Sequence, residues 1–434
     1  MRRPTSLAAS LGLLTLSCLS PLAGTVASPA APISTSPVSS AAPPFELPAP
    51  TGSSPIGTTA WRVTDPARRE TFGDEKGFRQ VEVLAWYPAA AAAAAPAASG
   101  ARAPYLREGL AEVASFAKRL GSPSAFDGLL QVRTHAALDA KPAAAPRTFP
   151  VLVFSHGFTA APSSYTALLE DLASQGYVVL SVVHPYEAAA ATLDHGRVVT
   201  MLDANGELRP SLRQVLGEWA TEDATMAEVT RQTDDESRLR ILRTYLAGLH
   251  QTNETLRRWV DDTALVLDQL AAHPPALLAG RLDLDHVGVL GHSMGGVTAG
   301  QFCAQDRRCQ AGLNLDGIPQ YGTMLDHSLK RPFLMVYSAR PGRTGASDAI
   351  YRRGASPYLR VDVRDTLHLD FSDMVLWGGP LRERPILGKL APQRAIDITR
   401  EVVREFFDQQ LRGRKSKLLA GEETVPEVKV QAQP

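Results

Sequence analysis

Apolar residues along this chain fall into short runs, separated by stretches in which apolar positions recur every three or four residues. "VEVLAWY" (81–87), "PVLVFSH" (150–156) and "YVVLSVV" (177–183) are runs of the first kind. Tyr165, Leu168, Leu169 and Leu172 share one face at helical spacing between the second run and the third, so these segments predict a βαβ unit. "HVGVLGH" (286–292), "QAGLNLD" (310–316), "PFLMVYS" (332–338) and "LRVDV" (359–363) continue the series, and "QRAIDITREVVREFFDQQL" (393–411) predicts a closing helix. Strands this uniformly apolar are buried on both faces, as in a parallel sheet covered by helices. The expected fold class is therefore α/β, with a mostly parallel central sheet flanked by helices.

Residues 205–275 interrupt the alternation and carry only helical pattern. The last part is expected to pack under the sheet. The earlier part, 205–254, is rich in charge and contains Trp219 and Met226, which suits a lid over a functional site and an ordinary surface insertion equally well.

The two ends change character. Residues 28–52 are dominated by Ser, Pro and Ala without periodicity and read as a disordered linker, and residues 412–434 read as a flexible tail, leaving a domain over 53–411. An alanine-rich loop at 89–104 is a further low-complexity stretch. At the start, Arg2 and Arg3 precede an apolar stretch, and Thr25-Val26-Ala27 offers small residues for cleavage, so residues 1–27 read as an export signal. Lipidation at Cys18 is the less favoured alternative, because Thr15 and Leu16 stand in the wrong order for it. The protein is expected in the periplasm or outside the cell, where the two remaining thiols, Cys303 and Cys309, are close enough in sequence to join. No later segment has the ~18 consecutive apolar residues of a membrane span.

Composition adds exclusions. The chain has 434 residues, 44% of them hydrophobic, and 45 basic residues balance 45 acidic ones, which argues against nucleic acid as a partner. The ten histidines are scattered without metal-ligand spacing, and no phosphate-cradling glycine loop is present, so neither a metal nor another cofactor is expected.

The chemistry concentrates at "GVLGHSMGGV" (288–297), where Gly291-His292-Ser293-Met294-Gly295 follows a strand and fits a sharp strand-to-helix turn. Serine catalysis also needs an imidazole, a carboxylate to orient it and backbone N–H donors for an oxyanion. Asp316 ends the next strand at the same sheet edge; Asp348, one strand later, is the other contender. His368 follows the final strand and is preferred to His327, which precedes a strand and reads as a solvated loop residue. "FSHGF" (154–158) closes an early strand, so the amides of Phe158 and Met294 can converge on one oxygen. His292 beside the serine is expected to pack structurally.

These motifs in this order resemble the α/β-hydrolases similar to platelet-activating factor acetylhydrolase and its bacterial lipase-like relatives. The resemblance runs from about Ile56 to about Leu411 and includes "IGTTAWRVTDPAR", "VEVLAWYPA", "VFSHGF", "LLEDLASQGYVVLSVVHPYEA", "GRVV", "LDLDHVGVLGHSMGG", "GLNLDG" and "HLDFSD". It implies an α/β-hydrolase fold and a cofactor-free serine esterase acting on a small-molecule ester or lipid, with Ser293, Asp316 and His368 at the triad positions and Phe158 and Met294 at the oxyanion hole. It also implies that His184, in "HPYEA", lies near the site, with a structural role equally open. A cutinase-type polyester hydrolase with an open groove and a later acid is the rival, and a non-catalytic binding protein of the same fold is the alternative from another class.

Overall fold

A computed structural model describes residues 45–73, 76–91, 102–320, 322–382 and 384–433. The expected export signal, Cys18 and the middle of the alanine-rich loop lie outside the described residues.

The strands are β1 (Ile56–Arg69), β2 (Phe78–Pro88), β3 (Ala137–Leu138), β4 (Phe149–Ser155), β5 (Val178–Val183), β6 (Ala190–Thr192), β7 (Val198–Thr200), β8 (Leu282–His292), β9 (Cys309–Leu315), β10 (Phe333–Tyr337), β11 (Tyr358–Val363) and β12 (Val428–Gln433). Ten of them form one sheet in the order β12-β11-β10-β9-β8-β4-β5-β2-β1-β3, while β6 and β7 pair separately. From β5 through β4 to β11 every neighbour is parallel; β2 joins β5, β1 joins β2 and β12 joins β11 antiparallel. This is the mostly parallel sheet that the apolar runs predict.

The helices are α1 (Ala114–Leu120), α2 (Thr166–Ser174), α3 (Pro210–Glu218), α4 (Glu222–Arg231), α5 (Asp235–Ala247), α6 (His250–Ala272), α7 (Met294–Gln305), α8 (Asp348–Tyr351), α9 (Gly379–Arg382) and α10 (Pro392–Arg412). Side-chain alternation along the strands divides the core in two. Val151, Val153, Val287 and Val289 face one way, against Trp259 and Leu267 of α6 and Val297 and Phe302 of α7. Leu152, Phe154, Leu290 and Leu313 face the other way, against Leu169 of α2 and Val403, Phe406 and Phe407 of α10. Burying both faces of the central strands in this way explains why their runs are predominantly apolar.

Both ends differ from expectation. Within the stretch expected to be a disordered linker, Phe45 to Gly52 is docked: Leu47 is buried in a cluster with Tyr105 and Phe126, and the N–H groups of Thr51 and Gly52 donate to Asp171 Oδ1 and Ser174 Oγ at 2.7 and 2.9 Å. Two apolar anchors and a few hydrogen bonds suffice, and neither leaves a periodic trace. The expected flexible tail likewise closes the sheet. Val428–Gln433 pairs with β11, Val428 and Val430 pack on the core, and Leu418 and Leu419 are buried. The domain thus runs beyond residue 411 at its C-terminal end.

The helical insertion begins at Pro210, and α6, which starts within its expected span, packs under the sheet beside β1, β2 and β5. Helix α4 meets the loops after β9 and β10. Gln320 Nε2 donates to Glu222 Oε2 at 2.9 Å, Arg343 Nη1 donates to Glu222 Oε1 at 2.8 Å, and Arg343 also pairs with Asp223. The insertion is therefore tied to the C-terminal edge of the sheet. Among the described residues no helix is long and apolar enough to cross a membrane.

Candidate active site

Strand β8 ends at His292 and α7 begins at Met294, leaving Ser293 alone to make the turn. Its φ of 57° and ψ of −124° are unfavourable for a residue with a Cβ. The turn holds because its flanks are glycines: a Cβ on Gly291 would strike the Gly295 backbone, and one on Gly295 would strike the carbonyl of Ser155. The tightness of the turn lifts Ser293 Oγ clear of the sheet edge.

Ser293 Oγ lies 2.9 Å from His368 Nε2, and His368 Nδ1 lies 2.7 Å from Asp316 Oδ2. An ionised carboxylate can only accept, so Nδ1 carries the proton and Nε2 is free to accept from the serine hydroxyl. Asp316 is buried. Burial works to raise its pKa, but the charge of Arg340 and the hydrogen bonds from His368 and the Ser338 N–H outweigh that and hold the carboxyl well below the usual range. Ser338 supplies two donors to Asp316, its N–H to Oδ1 at 2.8 Å and its hydroxyl to Oδ2 at 2.9 Å. His368 itself is pushed below its ordinary pKa, first by burial and then by Arg340, against the pull of Asp316.

His368 is fixed through its backbone as well as its ring. His292 Nε2 must donate to the His368 carbonyl at 2.8 Å, which leaves Nδ1 to accept from the Tyr165 hydroxyl at 2.9 Å. Tyr165 Oη in turn accepts the Gly157 N–H at 3.0 Å. One chain of hydrogen bonds thus connects the loop after β4 to the loop that carries the imidazole. His292 does pack structurally, kept neutral chiefly by burial, and its packing sets the position of His368.

The loop after β4 approaches the serine closely: a Cβ on Gly157 would sit 3.4 Å from Ser293 Cβ. Gly157 N–H is engaged by Tyr165, and Thr159 N–H donates to Glu187 O at 2.9 Å, so the peptide of Phe158 between them is held from both sides. Met294 is the first residue of α7, where an N–H has no intrahelical acceptor. The Phe158 ring packs edge-on against Trp219, with centroids 5.3 Å apart, linking this loop to the helical insertion.

The other candidates lie elsewhere. Asp348 accepts from the hydroxyls of Tyr337 and Tyr358 at 2.9 and 2.7 Å and pairs with Arg360 at 2.7 Å, so its carboxylate is committed away from His368. His327 is exposed on its loop. His184 is fully buried, stacked on Trp259 at 4.1 Å, and its Nδ1 donates to Asp262 Oδ2 at 2.9 Å. Asp262 also meets Arg79 and Arg68, at 2.7 and 2.9 Å. The ring of His184 contacts this ionic cluster and Ser155, its backbone N–H donates to His156 Nε2 at 3.1 Å, and no hydrogen bond joins it to the triad candidates, which favours the structural of its two roles. Cys303 and Cys309 form a disulfide that links α7 to β9.

Sequence reasoning missed three supporting residues. Arg340 Nη2 lies 2.9 Å from Asp316 Oδ2; it stands in "SARPGR", where nothing but its place after a strand marks it. Ser338 directly follows the same strand. Asn314 Oδ1 accepts the Gly317 N–H at 2.7 Å and locks the turn that presents Asp316. Among the described residues no group of three or more His, Cys, Asp or Glu side chains is placed to hold a metal ion.

A family model described as platelet-activating factor acetylhydrolase, isoform II, matches residues 41–417. The chain belongs to that family. A platelet-activating factor acetylhydrolase from Cavia porcellus is 25% identical over 269 residues, covering 61% of this chain and 58% of that protein. A probable 1-alkyl-2-acetylglycerophosphocholine esterase from Arthroderma benhamiae is 22% identical over 293 residues, covering 63% of each. The chain spans about three-fifths of the length of the curated relatives it matches. Among solved structures, a ferulic acid esterase from Streptomyces cinnamoneus is similar with a TM-score of 0.64 and 28% identity, covering 89% of this chain and 98% of that one. With the mostly parallel sheet and its helical layers, this likeness establishes the α/β-hydrolase fold.

Proposed function

We propose that the protein is a carboxylic ester hydrolase that works through an acyl-enzyme on Ser293. The observation that carries this reading is the continuous hydrogen-bonded series Ser293 Oγ, His368, Asp316, at 2.9 and 2.7 Å, on a strained strand-to-helix turn. His368 Nε2 takes the hydroxyl proton as Ser293 Oγ attacks the ester carbonyl. The Asp316 carboxylate stabilises the imidazolium that results. The Phe158 and Met294 N–H groups receive the oxyanion, and His368 returns its proton to the departing alcohol oxygen. A water molecule then repeats the attack on the acyl-enzyme and releases the acid.

For the substrate, membership of the family and the names of the matched relatives support short acyl esters, including an acetyl or similar group at the sn-2 position of a phospholipid. Helices α3–α5, tied to the loops after β9 and β10, would act as a cover over such a pocket. A second reading, esters of aromatic acids such as ferulate, draws support from the likeness to the ferulic acid esterase over nearly the whole of that chain. The expected export signal and the Cys303–Cys309 link together support a location outside the cytoplasm.

Specificity constants for p-nitrophenyl esters from acetyl to dodecanoyl, measured with EDTA alongside methyl ferulate and a polyester film, test the reading. A peak between acetyl and butyryl is expected, because each methylene beyond the depth of the pocket forfeits about 0.8 kcal/mol of burial. A steady rise to dodecanoyl or efficient release of monomer from the film contradicts the short-chain assignment, and a dominant rate on methyl ferulate selects the second reading.

A further inference from the structure

The loop after β10 sets a guanidinium against the carboxylate on which the candidate base depends. Arg340 Nη2 lies 2.9 Å from Asp316 Oδ2 and donates to the Asp316 carbonyl at 3.2 Å. The same Oδ2 accepts from His368 Nδ1 at 2.7 Å. One oxygen is therefore shared by the imidazole and a permanent cation. Asp316 is only 1% exposed, and burial pulls the pKa of Arg340 down against the attraction of Asp316, so this contact is far less screened than a surface ion pair.

We propose that Arg340 is a positioning residue of the triad, which clamps the Asp316 carboxylate and sets the lower pH limit at which His368 can serve as base. The proposal rests on the reading of Ser293, Asp316 and His368 given above. A partner carboxylate alone would make the imidazole a stronger base and leave it protonated in mild acid. Arg340 cancels much of that pull, so the base stays free at lower pH.

Of the other groups around His368, Arg343 acts in the same direction, but less than Arg340. His292, at the end of β8, is kept neutral by burial. Arg343, on the loop with Arg340, is paired with Glu222 and Asp223 of α4, so most of its charge is offset. Asp370, on the same turn as His368, accepts the N–H groups of Leu367 and Gly388 at 2.8 and 2.6 Å, and burial pushes its pKa up. Arg382 faces Asp370, and its charge pulls that carboxyl down against the burial. The net field on the ring is thus dominated by Asp316 and Arg340.

The test compares the full-length parent with Arg340→Gln and Arg340→Lys, reading the acid limb of kcat/KM against pH and the His368 imidazole titration by NMR. Arg340→Gln should move both to higher pH by about 1 unit, the size expected of a unit charge removed from a half-screened site a few ångströms away. Arg340→Lys, which keeps the charge, should stay within about a third of that shift. Arg340→Met takes the place of the glutamine variant should the latter not fold. A loss of rate that is equal at every pH with the imidazole titration unmoved overturns the proposal, as does a lysine variant shifted as far as the glutamine one. If the parent hydrolyses no ester, the proposed function fails, while the NMR titration still reports on Arg340.

Discussion

Asp316 and Asp348 follow successive strands, and replacing each by asparagine tests which carboxylate serves the proposed triad. In Asp316→Asn an amide nitrogen must replace one oxygen: at Oδ1 it would oppose the Ser338 backbone N–H, 2.8 Å away and unable to change role, whereas at Oδ2 it would oppose His368 Nδ1 at 2.7 Å, which can shift its proton, with the Ser338 hydroxyl and the Arg340 guanidinium turning aside. That nitrogen donates, so Nδ1 must give up its proton and become the acceptor. The proton moves to Nε2, which can no longer take one from Ser293. The imidazolium also loses its counter-charge. A wrong tautomer in such a triad costs ~10⁴-fold in kcat, equivalent to about 5.5 kcal/mol of transition-state stabilisation. Asp348→Asn leaves the triad untouched and weakens the contacts to Tyr337, Tyr358 and Arg360, at a cost of about 1–3 kcal/mol in stability. Steady-state rates on p-nitrophenyl butyrate with active-enzyme concentrations normalised by thermal melts would read both effects. An Asp316→Asn rate within tenfold of the parent, or a larger kcat loss in Asp348→Asn, refutes the assignment.

The disulfide and the buried ionic cluster lead to two further expected outcomes. Replacing Cys303 and Cys309 together by alanine should lower unfolding free energy by about 2 kcal/mol, as expected for a cross-link closing so short a loop, with kcat retained at low temperature; alkylation of two free thiols in native protein would contradict the link. Asp262→Ala should cost about 2–3 kcal/mol, since it removes the nearest of the three carboxylates around buried Arg79, leaving Glu70 and Glu187, and deprives His184 of its acceptor, yet kcat per folded molecule should hold within a few-fold if His184 is structural. The Asp262 carboxyl titrates below its unfolded value, Arg79 and His184 outweighing the burial that would raise it. Its contribution is therefore present above about pH 4 and lost as pH falls below that, so acid melts of the variant and the parent should converge.

What the sequence disclosed followed from where the physics is local. β4, β5, β9, β10 and the second half of β8 are buried on both faces, so most of their positions are apolar and the runs stand out. β1 does not read this way because it is only partly buried, mixes Thr and Arg with its apolar residues, and takes up Pro66 in a bulge between Asp65 and Arg69. β12 was hidden inside a polar tail, since a short edge strand needs just a few apolar contacts. Ser293 was legible because its turn demands glycines at fixed offsets, and His368 because it follows the last strand of the parallel series. The choice between Asp316 and Asp348 was not a matter of spacing. It depends on which carboxylate the loop of His368 reaches across the sheet edge. Arg340 was invisible for the same reason, as its meaning comes entirely from β9 and β10 being neighbours. His184 lay close to the motif residues in sequence, but its partners Trp259 and Asp262 come from a distant helix.

Covalent labelling tests the central claim most directly. A fluorophosphonate ester carries a phosphorus centre that an activated serine attacks and an unactivated one ignores. The account predicts one adduct per molecule, mapped by peptide mass spectrometry to Ser293, abolished in Ser293→Ala, and formed with EDTA present. Hydrolysis of p-nitrophenyl butyrate should fall at least ~10³-fold in that variant. An adduct on another residue, or an unlabelled Ser293→Ala protein that still hydrolyses the ester at the parent rate, would contradict the assignment of Ser293 as nucleophile.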